Sequence, residues 1–361
     1  MVTLTQSRKL NTPPSTVSQA HSQYRQDSTK RISTLLARST RSKSMPQLRS
    51  ANPYLYKPEN IYYNPRPIDG GGESAIFIGS SRLICGEFVV KQLACVDVVD
   101  EKKHIKTSDY IQIKTREECE MEKDLWIKLT EAKAKNILGF YGYFYTQKIF
   151  CFLFTKENQS LLTYIYDHNT PSWQRRYRLM IEITEGIVDI HKNGIIHGDI
   201  KVGNILVNAK MQHAKICDLG SAHEETNGKP KPFTVEYAAN ELFENKDAAT
   251  TKSSDIFSLA VTFWQIAAWQ RKPYNDLPRV AIGLGVQDGI RLPLPKNTPT
   301  KITNLITLGW SQAPSARPTA AQVLDGLNQI QEDELTEIDE NKYRLCLDQL
   351  AKKFETVSPK M

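Results

Sequence analysis

The sequence lacks any hydrophobic run long enough to cross a membrane, because its longest apolar-rich stretch, residues 258–269, is short and contains Gln265. No apolar signal-peptide core follows Met1, so we expect neither a secretory leader nor a membrane segment. Cysteine is also scarce, with six in 361 residues and no Cys-x-x-Cys pair. This scarcity argues against a disulfide framework or a zinc site and favours reduced thiols in the cytoplasm.

Excess positive charge is absent outside the first 60 residues. That segment holds ten Lys and Arg residues against two acidic residues, a net charge of +8, whereas the whole chain has a net charge of +7. The remaining residues therefore carry a net charge of only −1. A nucleic-acid-binding fold carries its basic charge on the folded surface, so this distribution argues against nucleic acid as a partner.

Residues 1–60 are predicted to form a disordered basic tail, because Ser, Thr, Gln and Arg dominate and offer little apolar surface to bury. The same composition is typical of an organelle transit peptide, and this alternative stays open. Residues 41–46 have the form R-S-x-S-x-P. That pattern resembles a docking site for 14-3-3 proteins, in which phosphorylated Ser44 would meet an arginine cluster.

Beyond the tail, runs rich in β-branched and aromatic residues come before amphipathic runs. Strands followed by helices predict an α+β fold of two lobes. An acidic run at residues 332–340 precedes apolar residues at helical spacing, which predict a C-terminal amphipathic helix within residues 331–361 that packs on the helical lobe or binds a partner. Strands are predicted at 76–78, 88–93 and 149–154, and helices at 117–129, 173–191, 253–269, 303–310 and 319–330.

The most informative motif is the run H-G-D-I-K-V-G-N at residues 197–204, followed by Asp-Leu-Gly at 218–220. Phosphoryl transfer from ATP needs a carboxylate beside the attacking hydroxyl, a cation near the moving phosphoryl group and oxygen ligands for Mg²⁺. Asp199, Lys201, Asn204 and Asp218 supply these groups in one ordered set.

This spacing resembles the catalytic loop and metal-binding triplet of the eukaryotic-type protein kinases. The resemblance covers residues 61–330 and implies a two-lobed kinase fold, with a small β-rich lobe at 61–156 and a helical lobe at 157–330. It implies ATP and Mg²⁺ as cofactors and proteins as substrates. Asp199 would accept the proton of the substrate hydroxyl, Lys201 would neutralise phosphoryl charge, and Asn204 and Asp218 would bind the metal.

The resemblance also implies a nucleotide pocket. The glycine cluster before residue 76 stands where the Gly-rich loop is expected, Phe77 would cover the adenine and Leu153 would be the gatekeeper. Lys91 would hold the α- and β-phosphates and pair with Glu122, with Glu118 as the alternative one turn earlier. The residues expected to contact the nucleotide are Gly70, Gly71, Gly72, Ala75, Phe77, Val89, Lys91, Leu153, Phe154, Lys156 and Leu206.

Two pairings in the large lobe follow from the same resemblance. Glu241, which ends the run T-V-E-Y-A-A-N-E, is expected to form a bidentate bridge with Arg317. Asp255 is expected to cap the central helix and to accept hydrogen bonds from the catalytic-loop backbone.

The departures from the family pattern leave alternatives open. Gly198 stands where kinases switched by phosphorylation of the activation segment carry arginine, so we expect weak dependence on phosphorylation at Thr226 or Thr234. Together with Ala75, Leu219 and Asn240, it keeps open a pseudokinase scaffold without phosphotransfer. An injected bacterial effector acting in the host cytoplasm is a second alternative.

The reading that we favour is a cytoplasmic serine/threonine protein kinase. The run at residues 234–241 resembles the family's substrate-docking turn. The presence of Lys201 two residues after Asp199, together with Thr234 at the start of this run, favours the serine/threonine class. The motifs resemble most the tyrosine-kinase-like branch, near the receptor-interacting and mixed-lineage kinases.

Overall fold

The computed structural model describes residues 52–70, 74–96, 114–146, 148–208, 213–245, 247–275 and 277–335. The chain divides into two compact units, one made of residues up to 115 together with 143–151, and one made of 116–142 and 152 onward. Most of the predicted tail, including Ser44, and the helix expected within 331–361 fall outside the described residues. No helix of the described part is both long and apolar enough to span a membrane.

A twisted β-sheet forms the first unit. Its strand order is β1-β3-β4-β7-β6, with β2 paired to β3 and β5 paired in parallel to β4. The last two strands, β6 and β7, continue from one unit into the other. The strands are β1 (Tyr62–Tyr63), β2 (Asp69–Gly70), β3 (Ser74–Ser80), β4 (Phe88–Val96), β5 (Lys114–Thr115), β6 (Phe140–Tyr145) and β7 (Ile149–Thr155).

The segment before β1 covers the edge strand β6. The backbone N–H of Tyr56 donates to the carbonyl of Tyr143 at 2.8 Å, and the N–H of Tyr143 donates to the carbonyl of Tyr54 at 2.8 Å. Asn52 adds a bond from its side-chain amide to the Tyr143 hydroxyl at 3.2 Å. These bonds satisfy backbone groups that an open sheet edge would expose to another chain.

Helices dominate the second unit. They are α1 (Arg116–Glu131), α2 (Leu161–Asp167), α3 (Trp173–Lys192), α4 (Asn240–Glu244), α5 (Lys252–Ala268), α6 (Arg279–Gln287), α7 (Thr300–Gly309) and α8 (Ala320–Asn328). Short strands accompany them: β8 (Gln159–Ser160), β9 (Ile195–Ile196), β10 (Ile205–Val207), β11 (Ala214–Ile216) and β12 (His223–Glu224). The predicted α+β class is confirmed.

The centre of the second unit is α5, which is buried over most of its length. A helix that is apolar on all sides needs packing partners around it, and α7 and α3 are among those that α5 contacts. The expectation that Asp255 caps this helix is wrong. The N-cap is Thr251, whose hydroxyl accepts a hydrogen bond from the N–H of Ser254. The N–H of Thr251 in turn donates to the Ser254 hydroxyl, so the two residues form a capping box.

Candidate active site

The catalytic loop is held by a buried carboxylate from α5. Asp255 accepts the backbone N–H of His197 at 2.8 Å and of Gly198 at 2.9 Å, and lies 2.9 Å from Nε2 of His191. Burial acts to raise the pKa of Asp255, but the hydrogen bond and charge of His191, the charge of His197 and its backbone N–H outweigh that effect and hold the pKa below its usual value. The expected bonds from Asp255 to the catalytic-loop backbone are therefore confirmed.

Asp199 lies at the centre of a hydrogen-bond network. Lys201 Nζ donates to its Oδ2 at 2.6 Å, and the amide of Asn204 donates to the same oxygen at 2.9 Å and to the Asp199 carbonyl at 2.8 Å. The hydroxyl of Thr234 donates to Oδ1 at 2.6 Å. Because each carboxylate oxygen accepts a donor, the side chain has a fixed orientation on a loop that Asp255 already holds.

Lys201 and Thr234 also contact each other. Lys201 Nζ donates to the Thr234 hydroxyl oxygen at 2.9 Å. Thr234 comes 35 residues after Asp199, immediately before a 3₁₀ turn at Val235–Tyr237. The three side chains thus join the catalytic loop to the predicted docking turn through one closed set of bonds.

The residues predicted to bind Mg²⁺ have the donor chemistry for it. Asn204 uses its amide nitrogen toward Asp199, so its amide oxygen is the atom suited to a cation. The N–H of Cys217 donates to the Asn204 carbonyl at 2.9 Å, which fixes the start of the next segment beside the loop. Asp218 follows with φ of +65°, and one of its carboxylate oxygens accepts the N–H of Gly220 at 3.1 Å. An amide oxygen and a carboxylate on joined segments fit a hard divalent cation.

The residues of the first unit that are predicted to contact the nucleotide, and that the structure describes, lie on β2, β3 and β4. Gly70 pairs with Ala75 across a hairpin, while Gly71 and Gly72 are outside the described residues. The register places Lys91 opposite Ile76 and Val89 opposite Ile78. Successive side chains alternate between the two faces of a strand, so Ile76 and Ile78 share the face of Lys91 and Val89.

The expectation that Phe77 covers the adenine is wrong. Phe77 pairs with Val90, so its side chain lies on the face opposite to Lys91, where it is buried against the ring of Tyr63 at 5.3 Å. A nucleotide bound on the sheet face of Lys91 cannot contact the Phe77 ring, because that ring lies on the other face of the sheet. On β3, Ile76 and Ile78 are the apolar residues that the structure places on the Lys91 face, and sequence reasoning missed them by one position.

The second unit carries the other predicted nucleotide residues. Leu153 and Phe154 are buried at the end of β7, and Lys156 after them is exposed. Leu206 lies in the middle of β10, opposite Lys215 of β11 and Ser160 of β8. These positions stay predictions of nucleotide contact.

Of the two acidic candidates on α1, Glu122 is buried, with 3% of its surface exposed, and Glu118 is exposed. A carboxylate is rarely buried unless it has a partner, which favours Glu122. Its pairing with Lys91 stays a prediction.

The docking segment is locked by the predicted bridge. The guanidinium of Arg317 donates to both oxygens of Glu241, at 2.7 and 2.8 Å, and the Arg317 side chain is fully buried. Arg317 also donates to the side-chain oxygen of Asn240 at 3.1 Å, and Asn240 in turn donates to the Gln312 carbonyl at 3.2 Å. Asn240 therefore belongs to the same hydrogen-bond network as Arg317 and Glu241, a role that the sequence did not indicate.

The comparisons with known proteins agree with this geometry. A model described as "Protein tyrosine and serine/threonine kinase" matches residues 87–327, about two thirds of the chain. Serine/threonine-protein kinase STY17 of Arabidopsis thaliana is 27% identical over 217 residues, 58% of this chain and 37% of that protein. Human mitogen-activated protein kinase kinase kinase 7 is 31% identical over 150 residues, 40% of this chain and 24% of that protein. The chain thus spans well under half the length of these relatives. The family match and the ordered site together show that the chain belongs to the protein tyrosine and serine/threonine kinase family.

Proposed function

We propose that this protein is a serine/threonine protein kinase, which transfers the γ-phosphoryl group of ATP to serine or threonine hydroxyls of protein substrates in the presence of Mg²⁺. The observation that carries this proposal is the Asp199 carboxylate, whose two oxygens accept donors from Lys201, Asn204 and Thr234. A loop built only for structure does not need such a set.

Each residue has a role in this reaction. Asp199 orients the substrate hydroxyl and accepts its proton, a contribution of roughly 10²–10⁴ in rate. Lys201 neutralises charge on the moving phosphoryl group. Mg²⁺, when bound, balances the charge of the ATP phosphates, and the amide oxygen of Asn204 and the carboxylate of Asp218 would hold it.

The serine/threonine class is supported by the bond between Lys201 and Thr234, which borders the place of the substrate hydroxyl, and by the name that STY17 carries. We place the chain in the tyrosine-kinase-like branch on the motifs quoted above. We further propose a cytoplasmic location and binding of 14-3-3 proteins to phosphorylated Ser44. A synthetic peptide of residues 38–49 should capture 14-3-3 proteins only in its phosphorylated form.

The test is transfer of labelled γ-phosphate from Mg²⁺-ATP to the protein itself and to a generic basic protein. Asp199→Asn should abolish transfer and retain ATP binding, whereas Asp325→Asn, at an exposed position of α8, should match the wild type. Label on serine and threonine is expected in the wild type. ATP binding without transfer by the wild type, even after addition of cell lysate, would replace this proposal with the pseudokinase scaffold.

A further inference from the structure

Three segments of the second unit meet beside Gly198, the residue before Asp199. Gly198 has φ of +75°, and a Cβ built there would lie 3.0 Å from the carbonyl oxygen of Ser221 and 3.0 Å from Oγ1 of Thr250. A main-chain carbonyl and a hydroxyl therefore fill the space that a side chain at position 198 would need. The segment that begins at Asp218, the catalytic loop and the loop before α5 are in contact here.

His223 joins two of these segments. It lies in β12, which pairs with β9 next to the catalytic loop, and only 8% of its surface is exposed. Its Nδ1 lies 2.9 Å from the carbonyl oxygen of Glu224, and its Nε2 lies 3.0 Å from Oγ1 of Thr250. Because a carbonyl can only accept, Nδ1 carries a proton and donates to Glu224, while Nε2 forms the second bond of the ring with the Thr250 hydroxyl.

The chain at Gly228 closes over this ring. A Cβ at Gly228 would lie 2.9 Å from Cε1 of His223 and 3.0 Å from the Cβ of Ala249. Gly228 therefore packs closely against the imidazole, and no side chain at position 228 would fit there without a shift of its neighbours. The ring is thus bordered by Gly228 and bonded to Thr250, whose neighbour Ala249 also adjoins Gly228.

We propose that His223 and Thr250 are positioning residues, which hold the first half of the segment between Asp218 and Glu241 against the catalytic loop without a phosphate. This inference rests on the proposed kinase function. The Thr250 hydroxyl bonds to His223 and borders Gly198, since it would lie 3.0 Å from a Cβ at that position, so we expect a shift of the ring to be transmitted to the residue before Asp199. Lys231 supports the same arrangement, because its Nζ donates to the carbonyl of Ala222 at 2.8 Å.

The first test compares Thr250→Val, which keeps the shape and removes the hydroxyl, with Thr250→Ser, which keeps the hydroxyl. Loss of a buried hydrogen bond to His223 should lower kcat about tenfold in Thr250→Val, with KM for ATP changed by less than about twofold. Thr250→Ser should retain most of the activity. Equal kcat values in Thr250→Val and wild type would overturn the proposal.

A double-mutant cycle tests whether the two residues act through one bond. The variant His223→Ala combined with Thr250→Val should be about as slow as the slower single variant, because both changes remove the same contact. Multiplicative effects on kcat would mean that the residues act independently and would contradict the proposal.

Hydrogen exchange separates this inference from the proposed function. Backbone amides of residues 221–228 should exchange faster in Thr250→Val than in the wild type, and at the wild-type rate in Thr250→Ser. Thr307→Val serves as the matched control, because it removes a hydroxyl that donates to the Thr303 carbonyl within α7, away from this contact. If the wild type transfers no phosphate, the kinase proposal fails, and unchanged exchange in Thr250→Val would still refute the positioning role on its own.

Discussion

Thr234 donates its hydroxyl to Oδ1 of Asp199 at 2.6 Å and accepts from Lys201 at 2.9 Å. The hydroxyl is thus donor to the base and acceptor for the cation of the proposed reaction. A residue 35 positions away in the chain completes the environment of Asp199. One oxygen atom, Oγ1 of Thr234, therefore links the docking turn to the catalytic loop through two hydrogen bonds.

Thr234→Val should therefore slow phosphoryl transfer. Valine has nearly the volume of threonine but lacks the hydroxyl, so Oδ1 of Asp199 and the amine of Lys201 each lose their hydrogen bond to residue 234. We therefore expect kcat to fall about tenfold or more. Thr234→Ser should stay within about threefold of the wild type. Steady-state kinetics with a fixed protein substrate checks both, and a fully active Thr234→Val would show that the bond does not orient Asp199.

Breaking the bridge between Glu241 and Arg317 should destabilise the second unit. Removing the charge of Glu241 in Glu241→Gln leaves a fully buried guanidinium without its counter-ion, which should cost about 3 kcal/mol and lower the unfolding midpoint by roughly 6–12 °C. Arg317→Lys should also be destabilised, because an ammonium cannot make the two parallel bonds. Thermal unfolding measures both variants.

The control for this prediction is Lys252→Gln. Lys252 pairs with Glu225 at 2.6 Å, but both side chains are well exposed, at 37% and 52%, so its loss should cost less than about 1 kcal/mol. If Lys252→Gln lowers the midpoint as much as Glu241→Gln, burial is not what makes the Arg317 bridge strong.

Much of the site could be predicted because its residues are close in sequence. Asp199, Lys201 and Asn204 fall within six positions, and the bonds among them are local. The Arg317 bridge, although it spans 76 residues, was predicted from two family motifs. The same local logic failed at Phe77, because a strand reverses its faces at every residue and a shift of one position exchanges them.

Side-chain contacts between residues that belong to no sequence motif could not be predicted. Thr250 and His223 are 27 residues apart, and each is an ordinary polar residue in sequence. The helix at Arg279–Gln287 was also missed, since Gly283 and Gly285 weaken its helical signal, although Gly283 has a packing reason. A Cβ there would lie 3.1 Å from the ring of Phe243. Only the folded chain shows such requirements.

Asp255 should make the free energy of unfolding decrease at low pH. Its pKa in the folded state is below the usual value of 3.8, so its contribution is present above that pH and is lost as the pH falls through the lower, folded value. Asp255→Asn, with one acceptor oxygen in place of two, should lose about 2 kcal/mol at neutral pH. The difference between this variant and the wild type should narrow below about pH 3.8.

Urea unfolding at pH 7, 5 and 3.5 measures this difference. Asp247→Asn, at an exposed aspartate, should follow the wild type at every pH. A gap between Asp255→Asn and wild type that stays constant, or that widens in acid, would show that His191 and the backbone N–H groups do not stabilise a charged Asp255.

Phosphorylation of the segment between Asp218 and Glu241 should not activate this protein. Gly198 offers no cation to a phosphate, and Thr226 lies exposed on the 3₁₀ turn Glu225–Asn227. Thr226→Glu and Thr226→Ala should therefore each change kcat by less than about twofold. Thr234→Glu should abolish activity, because it replaces the hydroxyl bonded to Asp199 with a second negative charge.

Treatment of the purified wild type with a phosphatase completes this test, and its kcat should be unchanged after removal of any phosphate confirmed by mass spectrometry. A many-fold rise in Thr226→Glu, or a many-fold loss after phosphatase, would show that a cation elsewhere in the chain receives a phosphate on this segment. The bonds of His223, Thr250 and Lys231 give the physical reason to expect neither, because they fix the segment by uncharged acceptors and backbone carbonyls.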